Sequence, residues 1–195
     1  MIRPLHALAL TLALVMPLAA AAADVFDFVP SGGRTLLAQA IAGRGADAEV
    51  TGLLGAKRSR SEWLAYLKGH SGALAGLKGM DDKQLQTLAD YLAHNMPQPA
   101  IKAPARTTKA DWEKVLPADG RDFTLRYCQG CHIVTVVVTQ SRTRDAWLGS
   151  MGKPSHVQIK LNPAQREALA DYLVTNGGIP IDEVPEELRA GGATY

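Results

Sequence analysis

The sequence has few cysteines, few aromatic residues and no excess of charge of either sign. Only 2 of its 195 residues are cysteines, which excludes a small secreted fold held by several disulfides. The 21 lysines and arginines nearly balance the 19 acidic residues, and the net charge of +2 includes no basic run. This balance argues against a nucleic-acid partner bound through its phosphates, and it excludes a strongly acidic scaffold. The composition, 47% apolar, is that of a globular protein.

A single segment is apolar enough to be considered as membrane-embedded, and it lies at the N terminus. Residues 1–23 begin with Arg3, continue through an apolar stretch interrupted by Pro17, and end in alanines at Ala23. A short apolar stretch with this start and end is typical of a signal peptide, and the alternative is an uncleaved membrane anchor. We expect cleavage near Ala23, a periplasmic protein and no stable membrane span after cleavage.

Both cysteines fall within one five-residue motif, CQGCH. Cys128 and Cys131 are three positions apart, and His132 follows directly. Two thiols one helical turn apart can add to the two vinyl groups of one haem, while the adjoining imidazole reaches the iron. Upstream, Phe123 and Tyr127 are four positions apart, so a helix entering the motif places both rings on the face beside the macrocycle. The motif therefore predicts one covalently bound haem c.

Three other chemistries use the same residue types. A thioredoxin-like redox pair belongs to a strand-helix-strand unit, and no strand pattern precedes Cys128. A zinc site takes four ligands, commonly from two such pairs, and the sequence has no second pair. A structural disulfide suits an oxidising compartment but leaves His132 without a role. Covalent haem attachment is the interpretation that uses all three side chains.

The chain resembles the class I c-type cytochromes over about residues 118–178. The resemblance is carried by CQGCH, by the aromatic helix before it and by the later helix that contains residues 171–173, DYL. It implies that Cys128 and Cys131 are thioether anchors and that His132 is the proximal iron ligand. It also implies a methionine downstream as the distal ligand.

The distal ligand is predicted to be Met151, the only methionine after the motif. Its thioether raises the reduction potential relative to a second imidazole, which suits a carrier that accepts electrons from a dehydrogenase. His132 and Met151 are then the two ligands of the iron. His156, five residues further on, is an alternative that gives a bis-histidine site of lower potential. The other possibilities are a vacant distal position or a ligand from the first half of the chain, namely Met80, Met96, His70 or His94.

The first half of the chain repeats the second half. The letters LADYL at 88–92 recur at 169–173, and Trp63 corresponds to Trp147. Arginines five and three positions before each of these tryptophans also agree. Identity at this many aligned positions indicates an internal repeat.

Both repeats carry the same predicted helix start. Asp81 with Gln84, and Asn162 with Gln165, each combine a side-chain cap with an amide three positions later that can return the hydrogen bond. Pro163 takes the first helical position, where its missing N–H costs no bond. We therefore predict helices that begin at these two sites.

The first repeat lacks the residues that hold haem. The offset that aligns the tryptophans places Arg44, Asp47 and Ala48 where the motif has its cysteines and histidine. Leu67 falls where the second repeat has Met151, so the anchors and the ligands are absent together. The first repeat is thus predicted to be a cytochrome-like module without a cofactor. Its interior space is expected to be filled by apolar side chains, namely Leu36, Leu37, Ile41, Leu53 and Leu54.

The fold prediction is an all-α protein of two tandem small cytochrome-c-like helical modules, of which only the second carries haem. Residues 24–34 are a leader, and 35–96 are the haem-free module. Residues 97–105, with three prolines, form a stiff linker. Residues 106–178 form the haem module, and 179–195 form an extended tail that wraps along the surface or docks on a partner.

Two further features have alternative interpretations. The β-branched run 133–138 directly follows His132, and we interpret it as apolar cover along the haem edge, with a short strand as the alternative. Arg142 and Arg144 can bind haem propionates through two parallel hydrogen bonds. Because the haem-free repeat has the same two arginines, support of the shared fold is the other possibility. The same ambiguity applies to Trp147.

Together these features predict a periplasmic monohaem c-type cytochrome that transfers single electrons from a partner dehydrogenase to another cytochrome or an oxidase. The sequence pairs no nucleophile with a base, so we expect an electron carrier or an electron-transfer subunit of a dehydrogenase complex, and not an enzyme in its own right. The near-neutral charge argues against long-range electrostatic steering and favours a dedicated complex. The competing hypothesis is a haem-based sensor with an open distal site.

Overall fold

The chain folds into helices joined by loops. The structure is a computed structural model that describes residues 24–70 and 74–189, and within these ranges the regular structure is helical, without strands. The predicted signal peptide, 1–23, and the end of the tail, 190–195, lie outside the described residues. No helix in the described ranges combines the length and the apolar character that a bilayer crossing requires. The all-α prediction is confirmed.

Among the described residues, four α-helices belong to the first repeat and four to the second, and one lies between them in the sequence. In the part of the chain that the structure describes, the α-helices are α1 (Gly33–Ala40), α2 (Ala48–Gly55), α3 (Arg60–Gly69), α4 (Asp82–Asn95), α5 (Lys109–Val115), α6 (Gly120–Phe123), α7 (Thr135–Val138), α8 (Arg144–Met151) and α9 (Pro163–Asn176). Helix α6 continues directly into a π-helical turn, Thr124–Cys128. Short 3-10 turns lie at Ala75–Leu77, Ile181–Glu183 and Glu186–Leu188.

The helix starts predicted for α4 and α9 are both present. The backbone N–H of Gln84 donates to the Asp81 carboxylate at 2.8 Å, and the Gln84 side chain accepts from the Asp81 N–H at 3.0 Å. Asn162 and Gln165 exchange the same two hydrogen bonds, both at 2.9 Å. Each pair satisfies N–H groups that the first helical turn leaves without a partner. These capping residues are confirmed.

The first and last helices of each repeat cross at a glycine. A Cβ atom added to Gly33 in α1 would lie 2.1 Å from the Cβ of Tyr91 in α4. A Cβ atom added to Gly120 in α6 would lie 2.2 Å from the Cβ of Tyr172 in α9. Only glycine permits so close an approach of the two backbones. The two repeats therefore share one helix-crossing geometry as well as their sequence identities.

The two repeats are joined by reciprocal hydrogen bonds from the same tyrosines. The Tyr91 hydroxyl donates to the carbonyl of Pro117, three residues before α6, at 2.9 Å. The Tyr172 hydroxyl donates to the carbonyl of Pro30, three residues before α1, at 2.6 Å. Each tyrosine thus fixes the chain that leads into the first helix of the other repeat. This reciprocity is what an approximate two-fold axis between the repeats produces, with α4 packed against α9.

Equivalent aspartates lie where α4 meets α9. The Arg60 guanidinium donates to Asp90, and Arg144 Nε donates to Asp171 at 2.7 Å. His94 of α4 also contacts Asp171, with 2.7 Å between Nε2 and Oδ2. Burial raises the pKa of Asp90, whereas at Asp171 burial is outweighed by the hydrogen bonds from His94 and Arg144, which lower the pKa. Arg144 is therefore engaged in the helix contact, which favours support of the fold over propionate binding.

Substitution of Asp171 tests this contact. We expect Asp171→Asn to lower the free energy of unfolding by about 1–3 kcal/mol at neutral pH, because it weakens charged hydrogen bonds and leaves Arg144 without its closest anion. The pKa of Asp171 is lower in the folded state, so the carboxylate stabilises the fold above the ordinary aspartate pKa of about 3.9, and this contribution is lost as the pH falls further. The difference between variant and wild type in urea denaturation should therefore shrink in acid. The exposed Asp182→Asn is the control, and a pH-independent difference would contradict the prediction.

The interior of the first repeat is filled with side chains. Helix α5 contributes to this core, since Trp112 and Leu116 are buried in it and the Trp112 indole donates to the Arg44 carbonyl at 3.3 Å. The packing therefore changes after Leu116, some ten residues later than the predicted boundary at 105/106. The five residues that were predicted to occupy the space are all at most 5% exposed, namely Leu36, Leu37, Ile41, Leu53 and Leu54.

The proline-rich segment 97–105 lies along the first repeat. The N–H of Gln98 donates to the carbonyl of Leu54 at 2.7 Å. Ile101 and Ala103 pack against the first core. The segment is thus a surface strip attached to one repeat, and it does not act as a free spacer.

Within the β-branched run 133–138, residues Thr135–Val138 form the helical turn α7, and no part of the run is a strand. Val134 and Val138 are buried in a third apolar cluster, together with side chains of the leader and the tail. Val137 packs against the second core, and Ile133 is 37% exposed. Cover for the second core therefore comes from Val137, while the most deeply buried part of the run anchors the two ends of the described chain.

The tail follows the surface of the second repeat up to residue 189. The Ile179 N–H donates to the Val138 carbonyl at 3.1 Å, and the Thr135 hydroxyl donates to the Leu188 carbonyl at 2.7 Å. Val184 is buried in the third cluster. The described part of the tail is thus fixed to α7.

Candidate functional site

One cavity gathers the residues that the sequence singles out for haem binding. It has a volume of about 320 Å³ and mostly apolar walls, and it lies between the π-helical turn, α8 and α9. Cys128, Cys131, His132 and Met151 all line it, and so does the alternative ligand His156. The remaining lining residues are Tyr127, Val137, Trp147, Ser150, Ser155, Ile159, Leu169 and Leu173.

The CQGCH segment reaches the cavity through one turn of backbone hydrogen bonds. The N–H groups of Cys131 and His132 both donate to the carbonyl of Cys128, at 3.2 and 3.0 Å. This turn brings the two thiols and the imidazole to the same side, as the spacing predicts. Just before it, Phe123 is buried and its ring centroid lies 6.4 Å from that of Tyr127. Of the predicted aromatic pair, Tyr127 therefore lines the cavity, whereas Phe123 is buried in the adjoining second core and is not part of the lining.

The two thiols are free, and their environment differs from that of a redox-active pair. Cys128 is half-buried and Cys131 is exposed. Burial, with a smaller effect of Cys131, raises the pKa of the Cys128 thiol to about 11. Thioredoxin-like cysteines have a lowered pKa instead. Within the described ranges, no group of three or more His, Cys, Asp and Glu side chains is placed to hold a metal ion.

The two candidate distal ligands differ in their surroundings. Met151 is the last residue of α8, and its side chain is 8% exposed within the second core, beside Phe123 and Trp147. His156 lies in the loop after α8 and is half-buried. Its ring centroid is 6.2 Å from that of His132, and the two ring planes are inclined by 38°.

A single arginine holds the loop that carries His156. Arg166 of α9 donates to carbonyls at both ends of this loop, from Nη1 to Met151 at 2.7 Å and from Nε to Leu161 at 3.2 Å. Between them, Nη2 donates to Ile159 at 2.9 Å and to His156 at 3.4 Å. One planar guanidinium thus fixes the backbone of the loop that contributes His156 to the cavity lining.

No family model, curated protein or solved structure matches this chain. The chemistry of the cavity is therefore argued from its own side chains, which supply two thiols, two imidazoles, one thioether and apolar walls. Thiols spaced in this way can form the two thioether bonds of a haem c, and imidazole or thioether groups can bind its iron.

The residues around the cavity fit a haem. The Trp147 ring lines the cavity, and its Nε1 is buried without a hydrogen-bond partner, so it is a donor available to a carboxylate. Arg142 stacks on Trp147 at 5.1 Å and donates to Ser150 at 2.8 Å, so a second donor, a positively charged one, lies beside the wall. Trp63 of the first repeat has the same unpaired indole, which shows that this orphan donor also belongs to the shared fold.

The two repeats can be aligned on the crossing glycines or on the tryptophans, and the two alignments differ by three residues. Matching Gly33 to Gly120 places Ile41, Arg44 and Gly45 opposite Cys128, Cys131 and His132, whereas the tryptophan offset gives Arg44, Asp47 and Ala48. None of these residues can anchor haem in either alignment. Ile41 is fully buried, so an apolar side chain occupies the position of the first thiol.

Sequence reasoning missed two contributors to the site. Arg166 belongs to no recognisable motif. The one sequence signal for it is that the first repeat has Leu85 at the equivalent position. The approach of His156 to His132 also had no sequence signal beyond the presence of the two histidines. Both depend on how the loop between α8 and α9 folds.

Proposed function

We propose that the chain is a periplasmic monohaem c-type cytochrome that passes single electrons from a dehydrogenase to a downstream cytochrome or oxidase. The observation that carries the proposal is the convergence of Cys128, Cys131 and His132 on one apolar cavity. In this role the protein is an electron carrier or an electron-transfer subunit, and it needs no catalytic side chains of its own.

Each cavity residue has a part in this proposal. Cys128 and Cys131 would hold the haem through thioether bonds, and His132 would bind its iron. When bound, the haem supplies reversible one-electron oxidation and reduction. Leu169, Leu173 and the other apolar walls exclude water, which keeps the change in solvation on electron transfer small. Trp147 has an indole N–H that is free to donate to a propionate.

The same proposal interprets the whole chain as two tandem cytochrome-c-like modules, of which only the second binds haem. The shared helix crossing at Gly33 and Gly120 supports it, as does the filling of the first interior by leucines and Ile41. The first module then covers α9 and stabilises the second through the α4 contact.

A sensor with an open distal site is the competing function. Two side chains able to bind iron, Met151 and His156, line the cavity, and this favours a carrier with both axial positions taken. A carrier should have a low-spin spectrum and bind carbon monoxide slowly. A sensor should be high-spin and bind it rapidly.

Protein exported and matured with a haem-attachment system should contain one haem per chain. The intact mass should exceed that of the processed polypeptide by one haem, and the reduced pyridine spectrum should be that of a haem with two thioether bonds. Cys131→Ser should leave one thioether, which shifts this spectrum to longer wavelength, and should reduce the yield of holoprotein severalfold. Colourless protein with free thiols, or with the two thiols joined to each other, would overturn the proposal.

A further inference from the structure

We propose that His156, and not Met151, is the second axial ligand of the haem iron, and that Arg166 positions it. This inference rests on the proposed attachment of haem to Cys128 and Cys131 with His132 as the first ligand. It goes further because it assigns the coordination of the iron, and with it the range of potential in which the protein works.

The separation of the two imidazole rings carries the inference. With metal–nitrogen bonds of roughly 2.0 Å, as imidazole ligands typically form, two rings on opposite sides of one metal ion have centroids about 6 Å apart. The ring centroids of His132 and His156 are 6.2 Å apart, and both rings line the cavity that the two thiols also line. Their spacing is therefore that of a ligand pair with one iron between them.

The second nitrogen of His156 is already engaged. Nδ1 of His156 lies 3.3 Å from the hydroxyl of Ser155. Histidine ligands commonly use one ring nitrogen for the metal and the other for a hydrogen bond, which fixes the orientation of the ring. This contact leaves Nε2 of His156 as the nitrogen that is free to bind iron.

The loop that presents His156 is fixed from α9. Arg166 binds four carbonyls between Met151 and Leu161, including that of His156 itself. In the first repeat, which has no haem anchors, the same position is Leu85. The guanidinium is thus a feature of the repeat that has the cavity, and it acts on the backbone around the proposed ligand.

Met151, by contrast, occupies a core position that both repeats share. Its counterpart Leu67 is fully buried in the first core, where no iron is expected. The Met151 side chain is likewise packed among apolar residues, including Phe123 and Trp147. A position that is apolar and buried in both repeats is explained by packing, so Met151 needs no ligand role.

Spectra of purified holoprotein variants test the assignment. Wild-type protein should be low-spin when oxidised and should lack the long-wavelength band of sulfur-to-iron(III) charge transfer. Met151→Leu should keep the wild-type spectrum, and Met80→Leu in the first repeat is its matched control. His156→Ala should convert most of the sample to high-spin haem with rapid carbon monoxide binding, and added imidazole should restore the low-spin form. His156→Met should introduce the sulfur band and raise the reduction potential.

The positioning role of Arg166 is tested by a measurement that a purely structural role would leave unchanged. Arg166→Leu should raise the high-spin fraction from near zero to a substantial part of the sample, and added imidazole should restore the low-spin form while the melting temperature stays unchanged by the addition. Arg166→Lys keeps the charge but cannot span four carbonyls, so it should fall between wild type and Arg166→Leu.

The possible failures are distinguishable. Absence of covalent haem from the wild-type protein overturns the proposed function, and this inference with it. Covalent haem whose sulfur-to-iron band is present in wild type and lost in Met151→Leu leaves the cytochrome intact and overturns the role of His156. An unchanged low-spin spectrum in His156→Ala also overturns it.

Discussion

Replacement of His132 by alanine is expected to abolish the low-spin spectrum of the holoprotein while the haem stays attached. His132 sits on the same backbone turn as the two thiols, so no other side chain of that turn can replace its imidazole. The iron would then keep at most one protein ligand, on the opposite side of the cavity. We expect nearly all of the oxidised protein to become high-spin in visible and electron paramagnetic resonance spectra, and added imidazole to reverse the change.

His70→Ala is the matched control for this experiment. His70 lies at the end of α3 in the first repeat, and its ring stacks on Tyr66 with 3.9 Å between the centroids. Its loss should leave the haem spectrum unchanged. A low-spin spectrum in His132→Ala without added imidazole, or loss of that spectrum in His70→Ala, would refute the assignment of the first ligand.

The second large effect is expected from Gly120→Ala. The new methyl group would lie 2.2 Å from the Cβ of Tyr172, so α6 and α9 cannot keep their present distance. Overpacking of a tight interior typically lowers the free energy of unfolding by about 1–3 kcal/mol, and we expect a loss of about 3 kcal/mol or more where two helices are forced apart. For a chain of this length such a loss lowers the melting temperature by about 6–12 °C. Because α6 leads directly into the π-helical turn that ends at Cys128, the yield of holoprotein should fall as well.

Gly149→Ala provides the control with the opposite sign. Gly149 lies inside α8, and a Cβ atom added to it meets nothing within 4 Å. Alanine should therefore stabilise the helix by about 0.5–1 kcal/mol through its lower conformational entropy in the unfolded chain. Gly33→Ala, with the equivalent clash against Tyr91, should be as destabilising as Gly120→Ala. Equal melting temperatures for Gly120→Ala and Gly149→Ala would show that the crossing is not tight.

Local sequence signals predicted the parts of the molecule that depend on local chemistry. The capping pairs before α4 and α9 were readable because each hydrogen bond joins residues three positions apart. The convergence of Cys128, Cys131 and His132 was readable because one helical turn spans them. The filled interior of the first repeat followed from comparing the repeats, since the second repeat showed what the first lacked.

Features that depend on contacts between distant segments were not readable. The run 133–138 has the propensity of a strand, yet it contains the helical turn α7, and its Val134 and Val138 are buried in a cluster with side chains of the leader and the tail. Helix α5 belongs to the first core because Trp112 packs among side chains that are distant in the sequence. The sequence left two roles open for Arg144, propionate binding and support of the fold, because its partner Asp171, 2.7 Å away, lies 27 positions later in the chain.

The two faces of α9 decide from where an electron can reach the proposed cofactor. Leu169 and Leu173 form a wall of the cavity, while Asp171 on another face of the same helix is held by His94 of α4. The first repeat therefore covers this side of the cavity. A redox protein that docked there would be separated from the proposed cofactor by the helices of the first repeat. The cavity lining is exposed to solvent at Cys131, His132 and Ser155, so a redox partner of the proposed cofactor would have to approach from this side.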